Sequence, residues 1–133
     1  MSVKWEYNSI ECKVENWLGK VLDKIGLSED KREMLFHFAD GDIFRMCNLI
    51  SRICFVDVWC EEIIGDLDDL IGSPLTMAEE VSNVDHAQND YNEGSHTWTF
   101  YKFSTAKGYV TLRWLGTSNG FYSEDVDIMK RIK

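Results

Sequence analysis

A chain of 133 residues, 44% hydrophobic and 13% aromatic, has material for one hydrophobic core, so a single domain over 1–133 is expected. One proline and the lack of Ser/Gly/Pro tracts argue against a disordered linker, and no internal repeat is present. A formal charge of −9 repels phosphate backbones, which weighs against direct nucleic-acid binding and favours a partner with a basic surface.

Met1 to Tyr7 carries charge and lacks the apolar run of a secretory signal, and no stretch approaches the roughly 20 apolar residues of a membrane span. The expectation is a cytoplasmic protein with no membrane partner. Residues 1–18 read as an N-terminal extension or helix. Val14, Trp17, Leu18, Val21, Leu22 and Ile25 recur at helical spacing, with Ser9 and Gly26 as candidate caps. Gly19 interrupts that pattern, so a helix over 14–25 and a helix followed by a strand both stand.

Met34, Phe36 and Phe38 then alternate with Leu35 and His37, Asp40-Gly41 supplies a turn, and Ile43 to Cys47 resumes, which predicts a β-hairpin. Ile53 to Trp59 reads as another strand. Gly65 to Gly72 reads as a helical turn or two, with Leu67, Leu70 and Ile71 facing the core and aspartates in the first turn. Leu75 to Val81 reads as a strand and residues 83–95 as a polar loop. His96 to Thr105, Tyr109 to Leu115 and Phe121 to Ile128 are β-rich runs joined by glycine-bearing loops, which predicts an antiparallel meander. The fold expected is α+β, mainly antiparallel sheet with one or two short helices.

Catalytic chemistry finds little support. Cys12, Cys47, Cys54 and Cys60 form no C-x-x-C pair and read as reduced, mostly buried thiols. His37, His86 and His96 lie in no nucleophile motif. The acidic doublets Glu61-Glu62, Asp68-Asp69 and Glu79-Glu80 place neighbours on diverging directions, so none is an acid–base pair by itself. The 66–69 cluster lacks calcium-loop spacing, and no Walker or dinucleotide fingerprint occurs. No catalytic residue, metal site or cofactor is expected.

One pattern departs from an ordinary globular domain. From Ile53 to Tyr101 there is no Lys or Arg, while eleven acids accumulate: Asp57, Glu61, Glu62, Asp66, Asp68, Asp69, Glu79, Glu80, Asp85, Asp90 and Glu93. Fourteen basic and twelve acidic residues elsewhere leave the rest of the chain at +2. Rows of carboxylates can imitate a phosphate backbone and occupy a basic groove, so the first eight are the candidate partner-binding residues. A solvated acidic face is the competing reading.

Gly65-Asp66-Leu67-Asp68-Asp69-Leu70-Ile71-Gly72-Ser73-Pro74 and Ala78-Glu79-Glu80-Val81-Ser82 resemble uncharacterised phage and prophage proteins of the DUF7448 type. The likeness continues through Thr97 to Lys102, Thr105 to Thr111, Arg113-Trp114, Ser118-Asn119-Gly120 and Tyr122-Ser123-Glu124, over roughly residues 18–128. The resemblance implies a phage accessory protein acting in the bacterial cytoplasm, and it favours a strand over Lys20 to Ser28. Relatives typically carry a His-bearing, Asp-Cys-Cys segment after the hairpin; here Arg45 to Cys54 has neither His nor a Cys pair.

Charge and resemblance together lead to a non-enzymatic inhibitor of a host-defence protein, such as a CRISPR effector or restriction enzyme, whose partner is a basic host protein. The first alternative is a sponge for a nucleotide immune signal, using Trp98, Lys102, Lys107, Arg113 and Trp114 in a pocket between subunits of a dimer or larger oligomer. The second is a structural or housekeeping phage protein.

Overall fold

Period-two alternation governs almost the whole chain. In the computed structural model, which describes residues 9–50, 56–86, 95–118 and 123–131, nine strands and two 3₁₀ turns appear. The strands are β1 (Ser9–Glu11), β2 (Leu22–Leu27), β3 (Met34–Phe38), β4 (Ile43–Cys47), β5 (Val56–Ile64), β6 (Met77–His86), β7 (Ser95–Thr105), β8 (Gly108–Ser118) and β9 (Asp127–Arg131). The turns are η1 (Val14–Trp17) and η2 (Leu67–Leu70). All strand pairings are antiparallel. They form a five-stranded sheet in the order β1-β9-β4-β3-β2 and a four-stranded sheet in the order β5-β8-β7-β6.

The two sheets share one core. Phe36, Phe38, Phe44, Met46 and Ile128 face inward from the first sheet, and Val58, Cys60, Tyr101, Phe103, Val110, Leu112 and Trp114 from the second. Trp17 stands between them, stacked on Phe103 at 5.6 Å between ring centroids and tilted against Phe36 and Phe44 at 4.9 and 5.0 Å. The hairpin forms at Asp40-Gly41 as its turn chemistry requires: Gly41 takes φ 94°, and the Asp40 carboxylate accepts from the Asp42 N–H at 2.9 Å.

Three expectations need correction. No α-helix occurs among the described residues, so the fold is β with two 3₁₀ turns and not α+β. The helical spacing at 14–25 is realised only through Trp17. Gly19 then turns the chain at φ 83°, its N–H donates to the Leu75 carbonyl at 2.8 Å, and β2 begins at Leu22, which agrees with the strand option for this stretch. Tertiary hydrogen bonds here override a local periodicity that a short apolar run satisfies in either state. Finally, the C-terminal strand does not complete the meander. Consecutive strands β6, β7 and β8 do form one, but β9 crosses over to pair with β1 and β4 of the other sheet.

The polar loop is shorter than 83–95, because β6 continues to His86 and β7 starts at Ser95; residues 87–94 lie outside the described residues. So do Cys54, Asp90, Glu93 and the beginnings of the runs expected from Ile53 and Phe121. Cys47 and Cys60 are buried and Cys12 is half-buried. No helix among the described residues is long and apolar enough to cross a membrane.

Because Trp17 packs against rings from both sheets, Trp17→Ala is expected to cost about 3–5 kcal/mol, read as a fall in the denaturant midpoint without a change of slope. A loss under about 1 kcal/mol would show that the sheets hold together without it.

Candidate functional site

The fold redistributes the charge that the sequence segregates. Arg32, from the β2–β3 connection, pairs with Asp57. Arg113 on β8 reaches Glu61 at 2.6 Å and Glu62 at 2.8 Å. A regular strand would send adjacent glutamates to opposite faces. A bulge between Cys60 and Glu62 inserts one extra residue, and both carboxylates converge on one guanidinium. Three of the eight candidate acids are therefore spent on internal pairs.

Asp66, Asp68 and Asp69 belong to η2. Asp66 caps the turn by accepting from the Asp68 N–H at 3.0 Å. The turn docks on the β7–β8 connection: the Thr105 hydroxyl donates to the Asp69 carbonyl, and the Lys107 ammonium donates to the Ile71 carbonyl at 2.6 Å. A side chain at Gly108 would meet the Asp69 carboxylate at 2.6 Å, and one at Gly65 would meet the Tyr109 carbonyl at 2.5 Å. Two stretches that carry the family resemblance are thus halves of one joint.

A second joint links Thr97, Ser118 and Glu124. The buried Glu124 carboxylate accepts from the Thr97 hydroxyl at 2.7 Å and from the Ser118 hydroxyl. Its backbone crosses so close above Gly116 that a Cβ there would collide with the Glu124 carbonyl. The Asn48 amide donates to the carbonyls of Ser123 and Asp125 at 3.0 and 2.9 Å, fixing the approach to β9.

That approach completes a cleft of about 260 Å³ on the open side of the sandwich, where edge strands β1 and β6 come near each other. Glu11, Cys12 and Lys13 form one wall, Glu80 and Ser82 another, with Thr99 and Asp125 to Ile128 between. Four carboxylates, Glu11, Glu80, Asp125 and Asp127, face one lysine. Burial, against a hydrogen bond from the Leu49 N–H and together with Glu11 and Asp125, holds the Asp127 carboxyl above the ordinary range. No group of His, Cys, Asp or Glu among the described residues is arranged to hold a metal ion. Of the eight acids picked from sequence, only Glu80 lies in this cleft. Glu11, Asp125 and Asp127 come from the chain ends, outside the acidic run, and no sequence spacing connects them.

The nucleotide-binding set is divided between faces. Trp114 points inward and is fully buried, whereas Trp98, Phe100 and Arg113 point outward beside Asn83 in a shallow depression of about 190 Å³. The Arg113 guanidinium lies 5.3 Å from the Trp98 ring centre. Lys102 faces Glu79 across the β6–β7 ladder, and Lys107 is tied to η2. A further cavity of about 630 Å³ is lined by Arg32, Glu33, Arg45, Cys47, Asn48 and Asp57 among others, with Arg32 paired to Asp57 and Arg45 to Glu33 at 3.0 Å. Its lining includes Arg45, Cys47 and Asn48 from the end of β4.

The family model for a domain of unknown function, DUF7448, matches residues 15–128. The chain belongs to the DUF7448 family. No curated protein and no solved structure matches it significantly. The DUF7448 domain so defined contains both joints and, apart from Glu11 to Lys13, the whole lining of the cleft.

The raised Asp127 carboxyl fixes the sign of a pH effect. The folded state binds the proton more tightly than the unfolded chain, so stability falls as pH rises from the ordinary Asp range near 4 through the folded value. Asp127→Asn is therefore expected to melt higher than the parent at pH 7, with the difference shrinking toward pH 3. An equal or lower melting temperature at pH 7 would show that the carboxylate is not penalised.

Proposed function

We propose that this DUF7448 protein is a non-enzymatic binding protein that engages a basic partner through its acidic surface, with the cleft between β1 and β6 as the seat of contact. The observation that carries the reading is the convergence of four carboxylates on one concave site beside two sheet edges. Most charges elsewhere on the second sheet are paired internally, while these have a single lysine among them. Carboxylates in a concavity steer a basic surface toward them and make association salt-sensitive.

The kind of partner follows from charge. A nucleic-acid-handling protein carries the basic groove that such a surface fits, and an accessory phage protein that blocks one would act as an anti-defence inhibitor in the bacterial cytoplasm. The sponge reading is weaker, since a phosphate at Trp98 would have to compete with Glu61 and Glu62 for Arg113. Buried thiols, with Cys60 pushed up to about 11 chiefly by burial, support a binding role over nucleophilic chemistry.

The test is displacement of labelled DNA from restriction endonucleases and CRISPR effectors, followed by mobility shift at 50 and 300 mM salt. The parent protein is expected to release DNA from at least one of them at low salt and to lose affinity about tenfold or more at high salt. Glu80→Lys should abolish release, while Asp68→Lys, on η2 away from the cleft, should weaken it only modestly. Failure to displace DNA from any of them would remove the inhibitor reading.

A further inference from the structure

Each sheet ends in two edge strands, β1 and β2 in one and β5 and β6 in the other. An open edge recruits other chains, so folded proteins shorten, interrupt or cover it. Three of these edges are treated in that way. β1 is three residues long. β2 shifts register between Leu22 and Lys24, and the Gly72 N–H closes on its Leu22 carbonyl at 2.9 Å. β5 is bulged between Cys60 and Glu62, and its Cys60 N–H donates to the Lys31 carbonyl at 2.7 Å. β6 differs: it runs ten residues with no proline, lysine or bulge.

Only the first half of β6 is covered. Leu75, just before it, exchanges main-chain bonds with Gly19 and Lys20, and the Glu80 N–H donates to the Glu15 carboxylate of η1 at 3.0 Å. That last bond shows which groups face outward. Glu80 turns its N–H away from β7, and this direction alternates along a strand, so Ser82 and Val84 turn theirs outward too. Among the described residues neither N–H meets an acceptor. The edge from Ser82 to Val84 is therefore open.

An added strand there would project its side chains alternately to two surfaces. On the Ser82 side lies the cleft, with Glu11, Glu80, Asp125 and Asp127. On the other side Val81 is 41% exposed and stands across the ladder from Phe100, which shares the outer depression with Trp98. One surface asks for cations and the other for apolar groups. A second copy of this chain fits poorly. Its own β6 holds Glu79, Glu80 and Asp85 with no basic residue, so pairing two such edges brings like charges together.

We propose that the β6 edge from Ser82 to Val84 takes up an extended segment of a basic protein partner as an additional antiparallel strand, the segment alternating lysine or arginine with apolar residues. This rests on the acidic-surface reading above and states how the partner chain is held: main-chain bonds supply affinity and the alternating side chains supply specificity. The residue opposite Ser82 shares its face, so it sends its side chain to the cleft while its N–H bonds to β6. The cationic residues of the segment are thus the ones whose main-chain groups are engaged.

The experiment is calorimetric titration of the intact protein with a six-residue peptide alternating lysine and valine, its ends acetylated and amidated. Two analogues of equal charge carry main-chain N-methyl groups, one on the lysines and one on the valines. The unmodified peptide is expected to bind, methylation at lysine to weaken it about tenfold or more, and methylation at valine to leave it within about threefold. Ser82→Pro removes an outward N–H without touching the β6–β7 ladder and should weaken the unmodified peptide about tenfold, while Ser82→Ala should match the parent. Equal binding of all three peptides would overturn strand addition and leave the acidic-surface reading standing, since their charge is the same. No binding of the unmodified peptide would also overturn it, with the acidic-surface reading decided separately by DNA displacement.

Discussion

Everything in this sandwich is arranged around the insertion of Trp17 between its two sheets. The indole stacks on Phe103 of the four-stranded sheet and meets Phe36, Phe38 and Phe44 of the five-stranded one. Aromatic pairs at these separations add attraction beyond burial alone. The insertion is enforced by short backbone bonds on both sides. Lys20 N–H returns to the Trp17 carbonyl, Gly19 N–H goes to Leu75, and Leu75 N–H goes to Lys20. η1 thereby fills one stretch of the open side against β6, and the cleft lies farther along the same side, where no such plug is present among the described residues.

The same geometry explains why part of the acidic run in sequence is neutralised in the fold. Antiparallel pairing sets β5 beside β8, whose Arg113 comes from beyond the run, and the β5 bulge then aims two glutamates at it. Exposed pairs of this sort contribute at most about 1 kcal/mol each, so their consequence is less stability than removal of free negative charge. What stays negative is decided by which carboxylates lack a cation opposite them. At the cleft that shortage arises from residues far apart in the chain: Glu11, Glu80, Asp125 and Asp127.

Much of the fold was legible because period-two alternation and turn chemistry are local. The hairpin at Asp40-Gly41 and the strands flanking Ala106-Lys107 follow from residues within a few positions of one another. The assignment of β9 to the opposite sheet was not legible, since it depends on Asn48 gripping the 123–125 backbone from more than 70 residues away. Of the two options open for 14–25, the continuous helix gives way for the same reason: a hydrogen bond from Gly19 to Leu75 competes with the periodicity and wins. The site was the least legible part. Composition singled out carboxylates at the densest cluster, where Asp66 caps η2 and the Asp69 side chain abuts the start of β8, and no spacing linked Glu80 to Glu11, Asp125 and Asp127.

The stretches that carry the family resemblance now divide by physical role. Gly65 to Gly72 with Thr105 to Gly108, and Thr97 with Ser118 and Glu124, are mutual contacts whose geometry tolerates little substitution, because the glycines admit a backbone or a carboxylate where a Cβ would collide. These joints hold β7 and β8 and bring the 123–126 segment over the sheet. Glu80 and Tyr101 sit in the same stretches but belong to neither joint, and they face each other across the β6–β7 ladder. A fold that satisfies Thr97, Thr105, Ser118 and Asn48 from distant strands has used these polar side chains to lock β7, β8 and the 123–125 segment together, and the same joints bring the cleft carboxylates Glu80, Asp125 and Asp127 to one place.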